Sequence, residues 1–195
     1  MNIIYLSLTK NDHWESAEDF IMEYPENHKK YIRFCEQFPV QISHLQRAQF
    51  RENMTRQQIN YSFIKDRLPA QLRWWQEPVQ LFDQVEILKP DIIEMNGLNL
   101  PLQFRLLRRR VGPKVLLIGK HCGEDFWPNQ KIWLQQFGLR SVNGFIFFDE
   151  QVQSAWMKAS VILKKQGILL LRPDSRDLDR EIRLIYDFYS DLVAK

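Results

Sequence analysis

The chain has 195 residues, of which 45% are hydrophobic and 13% aromatic, so it can bury the core of a single α/β domain. Its formal net charge of +3 permits a local anionic partner but does not by itself indicate nucleic-acid binding. Its two cysteines, Cys35 and Cys122, exclude a disulfide framework and are typical of reduced thiols in a cytoplasmic protein.

The N-terminal stretch MNIIYLSLTKND has neither a basic region nor a small-residue cleavage site. We therefore interpret it as a strand and not as a signal peptide. No apolar run approaches the roughly 20 residues that span a bilayer, so we expect a soluble protein. The polar span Thr9–Asn27 then predicts a long loop with about one helical turn, and long loops at strand ends are often functional.

Seven short apolar runs predict strands, and several are nearly continuous, as a parallel sheet covered on both faces requires. The second and third are joined by a polar segment, so they form either a local antiparallel pair or neighbours in the sheet. The predicted strands are Asn2–Leu8, Val40–Gln46, Tyr61–Lys65, Asp91–Asn96, Val115–His121, Gly144–Asp149 and Ile168–Leu171.

Stretches of helical period separate these runs. Pro78 predicts a break or a kink in the second helical stretch. Asn99 is the predicted cap of the third, with Pro101 in its first turn. Pro128 is expected to open the fourth helix, and Pro173 precedes the last. The apolar stripes are Tyr31/Phe34/Cys35/Phe38, Leu72/Trp75/Val79/Phe82/Val85, Phe104/Leu107/Val111, Ile132/Trp133/Phe137, Val152/Trp156 and Leu178/Ile182/Ile185/Tyr189/Leu192.

Strands that alternate with helices predict βαβ units with right-handed crossovers and a mostly parallel sheet. In such folds ligands bind at the carboxyl ends of the strands, where the strand order reverses. Four polar clusters lie at predicted carboxyl ends and are expected to face one crevice. They are Ser7–Asn11, Asn96-Gly97, Lys120–Asp125 and Asp149-Glu150.

Three features of the middle of the chain admit a functional and a structural interpretation. Gly97 would let the backbone approach a ligand closely, but Asn96-Gly97 also suits an ordinary strand-to-helix turn. The run Arg108–Arg110 could meet phosphates, although positive charge near a helix C-terminus also complements the helix dipole on a solvated face. Trp74-Trp75 could form a stacking platform, but we interpret it as a corner of the core because Trp75 lies on an apolar stripe.

His121, in the stretch KHCGED, is the candidate catalytic residue. It follows an apolar strand, and Gly123 leaves the chain free to turn toward a substrate. A histidine there could orient or deprotonate a hydroxyl, with Glu124 and Asp125 nearby. The alternative is a strand-end histidine bonded to a backbone carbonyl. No metal site is expected, since the four histidines are scattered and neither CxxC nor HExxH occurs.

Several catalytic and nucleotide-binding motifs are missing from the sequence. It contains no GxGxxG and no GxxxxGK[ST], which counts against a dinucleotide enzyme and a P-loop enzyme. It contains no GxSxG, which counts against an esterase.

The stretch KPDIIEMNGLNLPLQFRLLRRRVGPKVLLIGKHCGEDFWPN, followed by GLRSVNGFIFFDEQVQSAW, resembles the N-terminal domain of GT-B glycosyltransferases. More narrowly, it is similar to the group 1 (family 4-like) retaining enzymes. The likeness covers residues 84 to 160 and extends to the strand order of residues 1–70. It implies a three-layer Rossmann-like domain over residues 1–172, with a mostly parallel sheet of about seven strands. Residues 173–195 would form a C-terminal helix that packs back on it.

The resemblance implies that this chain is the acceptor-binding half of a hexosyltransferase. The family's donor domain would fall between Leu171 and Asp177, so the nucleotide sugar is expected on another domain or a second subunit. No cofactor is expected in this half, and alone it should be inactive. Cys122 stands where the family has a second histidine, and Glu15 and Glu23 have E-x7-E spacing without its context.

The expected site combines catalytic His121 with a set of residues that bind the acceptor. The expected partners are a sugar or glycoconjugate acceptor and a donor-binding domain or subunit, with a membrane surface as a further candidate and no nucleic acid. One alternative is a non-catalytic Rossmann-like partner-binding or regulatory module, and a weaker one is nucleic-acid binding through Arg108–Arg110. The predicted substrate-binding residues are Ser7, Thr9, Asn96, Gly97, Gly123 and Glu124.

Overall fold

The computed structural model describes residues 1–125, 127, 131–159, 161–163, 166–171 and 177–194. In this part of the chain eight strands form one sheet, in the order β3-β4-β2-β1-β5-β6-β7-β8. The strands are β1 Asn2–Lys10, β2 Gln41–Ala48, β3 Glu52–Arg56, β4 Ile59–Lys65, β5 Ile92–Asn96, β6 Leu116–Lys120, β7 Gly144–Phe147 and β8 Gly167–Leu170.

Helices cover both faces of this sheet, so the predicted three-layer α/β architecture is confirmed. Among the described residues none of them combines the length and the apolarity that crossing a membrane requires. Their bounds are α1 Ala17–Glu23, α2 Pro25–Gln37, α3 Val79–Leu88, α4 Pro101–Val111, α5 Ile132–Leu139, α6 Glu150–Lys158 and α7 Leu178–Val193.

The sheet is parallel except at one edge. β2 and β4 are parallel neighbours, while β3 pairs antiparallel with β4. The sequence did not predict β3, because its residues are polar and lie at the edge of the sheet. Its turn, Gln57-Gln58, has positive φ angles of 47° and 71° without the glycine that usually marks such a hairpin.

The chain reverses direction in the sheet at β1. From β1 the chain passes to β2 and to the edge strand β3, turns back into β4 between them, and then crosses to β5 on the other side of β1. The loops that follow β1 and β5 therefore run to opposite sides and leave a crevice between them. Near-continuous apolar strands are needed here because both faces of β1 are buried.

The C-terminal helix α7 docks on the sheet face that α2 also covers. Ile182, Ile185 and Tyr189 are buried, as the predicted stripe requires. The hydroxyl of Tyr189 donates to the buried carboxylate of Glu94 on β5. Docking of the C-terminal helix is thus confirmed.

Two predictions about helix starts are wrong, and two prolines lie outside the described residues. Residues 9–27 hold more than one helical turn, because Ser16 forms a capping box that opens α1 and Pro25 opens α2. The N-cap of α4 is Leu100 rather than Asn99, although Pro101 does occupy the first turn. Predictions that involve Pro128 and Pro173 fall outside the described residues.

The helical stripes that contain Trp75 and Trp133 are only partly buried. Trp75 is 54% exposed and Trp74 39%, so they do not form a corner of the core, and α3 begins only after Pro78. Trp133 is 59% exposed. The face of α5 that packs inward is set by Gly138, where a Cβ would lie 2.2 Å from the carbonyl oxygen of Pro101.

Candidate functional site: the cleft at the β1–β5 switch point

A cleft of about 780 Å³ opens at the carboxyl ends of β1, β2, β5 and β6. It lies at the point where the strand order reverses, which is where ligands bind in open α/β sheets. Of the seven predicted site residues the cleft is lined by five, and His121 and Gly123 do not line it. The five are Ser7, Thr9, Asn96, Gly97 and Glu124.

The β1 side of the cleft presents uncharged hydrogen-bonding groups. The hydroxyls of Ser7 and Thr9 lie 2.9 Å apart and bond to each other. The amide of Gln46, on β2, donates to the carbonyl of Thr9 and holds the chain where β1 ends. These groups suit the hydroxyls of a polar ligand.

Arg47, a buried residue that sequence reasoning did not identify, connects the segments that form the β1 side of the cleft. Arg47 is fully buried and donates to both carboxylate oxygens of Asp66, at 2.6 and 2.9 Å. Its other N–H groups donate to the carbonyls of Leu8 at 2.8 Å, Pro69 at 2.9 Å and Ala70 at 3.3 Å. One side chain thus ties the end of β1 to the loop after β4. The only signal in the sequence is an arginine at the end of a strand.

Glu124 joins the two loops on the β5–β6 side. One carboxylate oxygen accepts from the N–H of Cys122 at 2.8 Å, and the other from the N–H of Leu98 at 3.2 Å. Gly97 has φ +86°, and a Cβ there would lie 2.9 Å from that second oxygen. Position 97 therefore requires glycine, because a Cβ there would clash with the carboxylate of Glu124, which belongs to the same chain.

His121 lies behind the wall of the cleft. It is 7% exposed, and its ring stacks on Phe147 and meets Trp156 edge-on. Its Nε2 lies 2.8 Å from the carbonyl oxygen of Glu124, and its Nδ1 accepts from the N–H of Gly123 at 3.3 Å. Both ring nitrogens are thus engaged within the 121–124 loop. This geometry favours a residue that positions Glu124, and the catalytic role stays a prediction.

We expect His121→Ala to lower the free energy of unfolding by about 2–3 kcal/mol, because the ring leaves a cavity and the Gly123 N–H and Glu124 carbonyl lose their partner. Urea denaturation measures this loss. The catalytic alternative makes the opposite prediction. An unchanged unfolding midpoint, together with a fall of about 100-fold in the turnover of the assembled enzyme, would support it.

The remaining polar cluster and the arginine run have structural partners. Asp149 caps α6 and accepts from the N–H groups of its first turn, and it does not line the cleft. Arg108 donates to the carbonyls of Gly112 and Val115, both at 2.6 Å. Arg110 pairs with carboxylates including that of Glu77 at 2.7 Å. Only the middle arginine of the run is exposed, so the run is not an open basic face.

An aromatic wall closes the end of the cleft beside β2, and sequence reasoning did not identify it. Trp14, Phe20 and Tyr24 line this end. The indole N–H of Trp14 donates to Glu23 at 2.6 Å, which fixes the ring. The hydrogen bonds from Trp14 and from His13 hold the pKa of the Glu23 carboxyl below its usual value.

His44 completes that wall and is 2% exposed. Its Nδ1 lies 3.3 Å from the hydroxyl oxygen of Tyr31, while its Nε2 has no hydrogen-bond partner among the described residues. Burial lowers the pKa of His44 to about 4. A contact with the side chain of Gln46, which does not reach hydrogen-bond geometry, acts more weakly in the opposite direction. The imidazole is therefore neutral at pH 7. The sequence signal that was overlooked is a histidine within a predicted strand.

The charged groups of the cleft are already neutralised or bonded. Lys10 donates to the carbonyl of Leu68 at 2.7 Å and lies 3.9 Å from Asp66. The carboxylate of Glu124 accepts from backbone N–H groups, as described above. Among the described residues no group of three histidine, cysteine or acidic side chains is placed to hold a metal ion.

The fold of the chain is similar to that of solved structures. No protein-family model matches the chain, and no curated protein matches its sequence. A sucrose-phosphate synthase unit from Thermosynechococcus elongatus, numbered 27–220 and 406–426, matches with a TM-score of 0.59 at 9% identity. The match covers 98% of this chain and 99% of that one. An apo structure of OtsA matches with a TM-score of 0.51 at 10% identity, over 82% of this chain but only 43% of that one.

These neighbours are GT-B glycosyltransferases, and the chain has the fold of a Rossmann-like GT-B domain. At about one residue in ten identical, the likeness concerns the fold alone.

Proposed function

We propose that this chain is the acceptor-binding half of a glycosyltransferase. The hexose would come from a nucleotide sugar held by another domain or a second chain. The observation that carries the proposal is the position of the cleft. It opens at the β1–β5 switch point of a domain whose fold matches a sucrose-phosphate synthase unit over nearly the full length of both.

The residues around the cleft divide into those that contact the acceptor and those that hold its walls. Ser7, Thr9 and Asn96 offer hydroxyl and amide groups to sugar hydroxyls. Glu124 fixes the two loops on the opposite side, and it is itself supported by His121. Gly97 and Gly123, both with positive φ, give these loops their shape.

The proposed donor site lies outside the cleft described here. The matched sucrose-phosphate synthase unit is numbered in two separate segments, of which the second runs from 406 to 426. In the present chain α7 follows β8 within a few residues. We infer that the nucleotide sugar, and the groups that stabilise its leaving diphosphate, belong to a separate domain or subunit.

The purified chain tests this function directly. With UDP- and GDP-hexoses plus free sugars we expect no transfer, whereas saturation-transfer NMR should detect binding of a sugar. Asn96→Ala should weaken that binding, and the matched control Asn53→Ala, on the edge strand β3, should not. Sugar transfer by this chain alone, or failure of every sugar to bind, would refute the proposal.

The second candidate is a non-catalytic partner-binding or regulatory module. Large exposed apolar side chains favour it, notably Ile87 at 69%, Trp133 at 59% and Trp75 at 54%. If the chain binds no sugar, this candidate takes precedence.

The predicted membrane-surface contact and cytoplasmic location stay predictions.

A further inference from the structure

The end of the cleft beside β2 is built to receive one particular kind of group. Resting on the proposed acceptor function, we infer that it is a subsite for an uncharged, hydroxyl-bearing sugar ring, with a hydroxyl bonded to Nε2 of His44. The subsite consists of His44 together with the aromatic wall of Trp14, Phe20 and Tyr24.

The first support is the unpartnered nitrogen of His44. Buried polar atoms nearly always have a hydrogen-bond partner, so an unpaired one directly behind the wall of a cleft points to a ligand atom. Nε2 is shielded from solvent, so a ligand hydroxyl reaches it when a side chain of the wall moves aside. If the hydroxyl of Tyr31 donates to Nδ1, then Nε2 carries the proton and donates. If Nδ1 carries the proton, then Nε2 accepts. A sugar hydroxyl suits either tautomer because it both donates and accepts.

The second support is the apolar surface beside this nitrogen. The ring of Phe20 lies 4.5 Å from that of His44, and Trp14 meets Phe20 edge-on at 5.3 Å. Tyr24 is 40% exposed, so part of its ring faces the open cleft. A mostly apolar wall with a few polar groups is typical of small-molecule sites, and the C–H face of a sugar ring can pack against it.

The third support is the balance of charge. A phosphate ester carries between one and two negative charges near neutral pH and is usually held by arginine or lysine. Among the described lining residues the only cation is Lys10, which is bonded to the carbonyl of Leu68 beside Asp66. The start of α4 also reaches the cleft, but Pro101 has no N–H and Glu124 already accepts from Leu98. The subsite therefore favours a neutral sugar over a sugar phosphate.

The test compares neutral and phosphorylated sugars on the intact chain. The probes are D-glucose, D-fructose and their 6-phosphates. Their binding is measured by saturation-transfer NMR and by the shifts of the imidazole 15N resonances. We expect the neutral sugars to bind and to shift the Nε2 resonance of His44. His44→Phe, which keeps a ring but removes one hydrogen bond, should weaken binding by about tenfold. Tyr24→Ala should weaken it by a similar factor, because it removes part of the apolar wall against which the sugar packs. Phe137→Ala, similarly exposed on α5, is the control and should bind normally.

Each contrary result identifies what fails. Tighter binding of the 6-phosphates, still dependent on Asn96, would refute the neutral subsite while leaving the acceptor function intact. Binding of neutral sugars that neither His44→Phe nor Tyr24→Ala weakens would place them elsewhere and refute the subsite. If His44→Phe does not fold, Tyr24→Ala decides alone, because its side chain is exposed. If no sugar of either kind binds, the proposed function itself fails.

Discussion

Arg47→Met is expected to lower the free energy of unfolding by about 3–5 kcal/mol, the cost of breaking a buried ion pair from one side. The substitution leaves the carboxylate of Asp66, whose side chain is 9% exposed, without its bidentate partner. It also removes the donors to the carbonyls of Leu8, Pro69 and Ala70. Urea denaturation measures the loss, and the cleft should lose its shape because these carbonyls belong to its margin.

Two further variants separate the charge from the packing. Arg47→Met combined with Asp66→Leu should recover part of the loss, because the uncompensated carboxylate is removed with Asp66. The recovery is incomplete because the carbonyls still lack donors and Lys10 loses its neighbouring carboxylate. Arg56→Met is the matched control, since its pair with Glu18 is 40% and 50% exposed and should contribute at most about 1 kcal/mol. Equal losses for Arg47→Met and Arg56→Met would contradict the assigned role.

The second large effect is acid destabilisation through His44. Burial lowers the pKa of His44 to about 4 in the folded state, against 6.5 for the ordinary side chain. Between pH 6.5 and pH 4 the unfolded chain therefore binds a proton that the folded chain does not. Stability falls as the pH falls through this window, by about 3 kcal/mol in total, and the effect levels off below pH 4.

The measurement is the free energy of unfolding at several pH values from 7 to 4. His44→Phe should remove most of this pH dependence, while Tyr24→Phe, which leaves His44 in place, should retain it. Burial also lowers the pKa of His28, so a smaller dependence of the same sign remains in both variants. If the wild-type chain and His44→Phe lose stability equally, the buried neutral imidazole is not the cause.

The local sequence predicted the parallel core because a strand buried on both faces must be apolar at consecutive positions. The runs at residues 3–6 and 92–95 are of this kind, and they became β1 and β5 at the centre of the sheet. The stripe of α7 and the proline at the start of α4 were likewise readable, since each depends on residues within one or two turns. Five predicted site residues line the cleft because strand ends set its position, and their binding role stays a prediction.

The tertiary structure decided what covers each side chain, and this depends on residues far apart in the chain. A helical stripe records that a face is apolar but not that a neighbour covers it, so Trp133 is exposed while Gly138 packs against Pro101. Arg47 and His44 are polar residues whose burial is possible only beside Asp66 and Tyr31. His121 lies at the predicted strand end, but ring contacts with Phe147 and Trp156 turn it away from the cleft. The sequence by itself determined the fold class and the location of the cleft. Only three-dimensional packing decided which side chains reach the cleft, because their hydrogen-bond partners and covering surfaces come from distant segments of the chain.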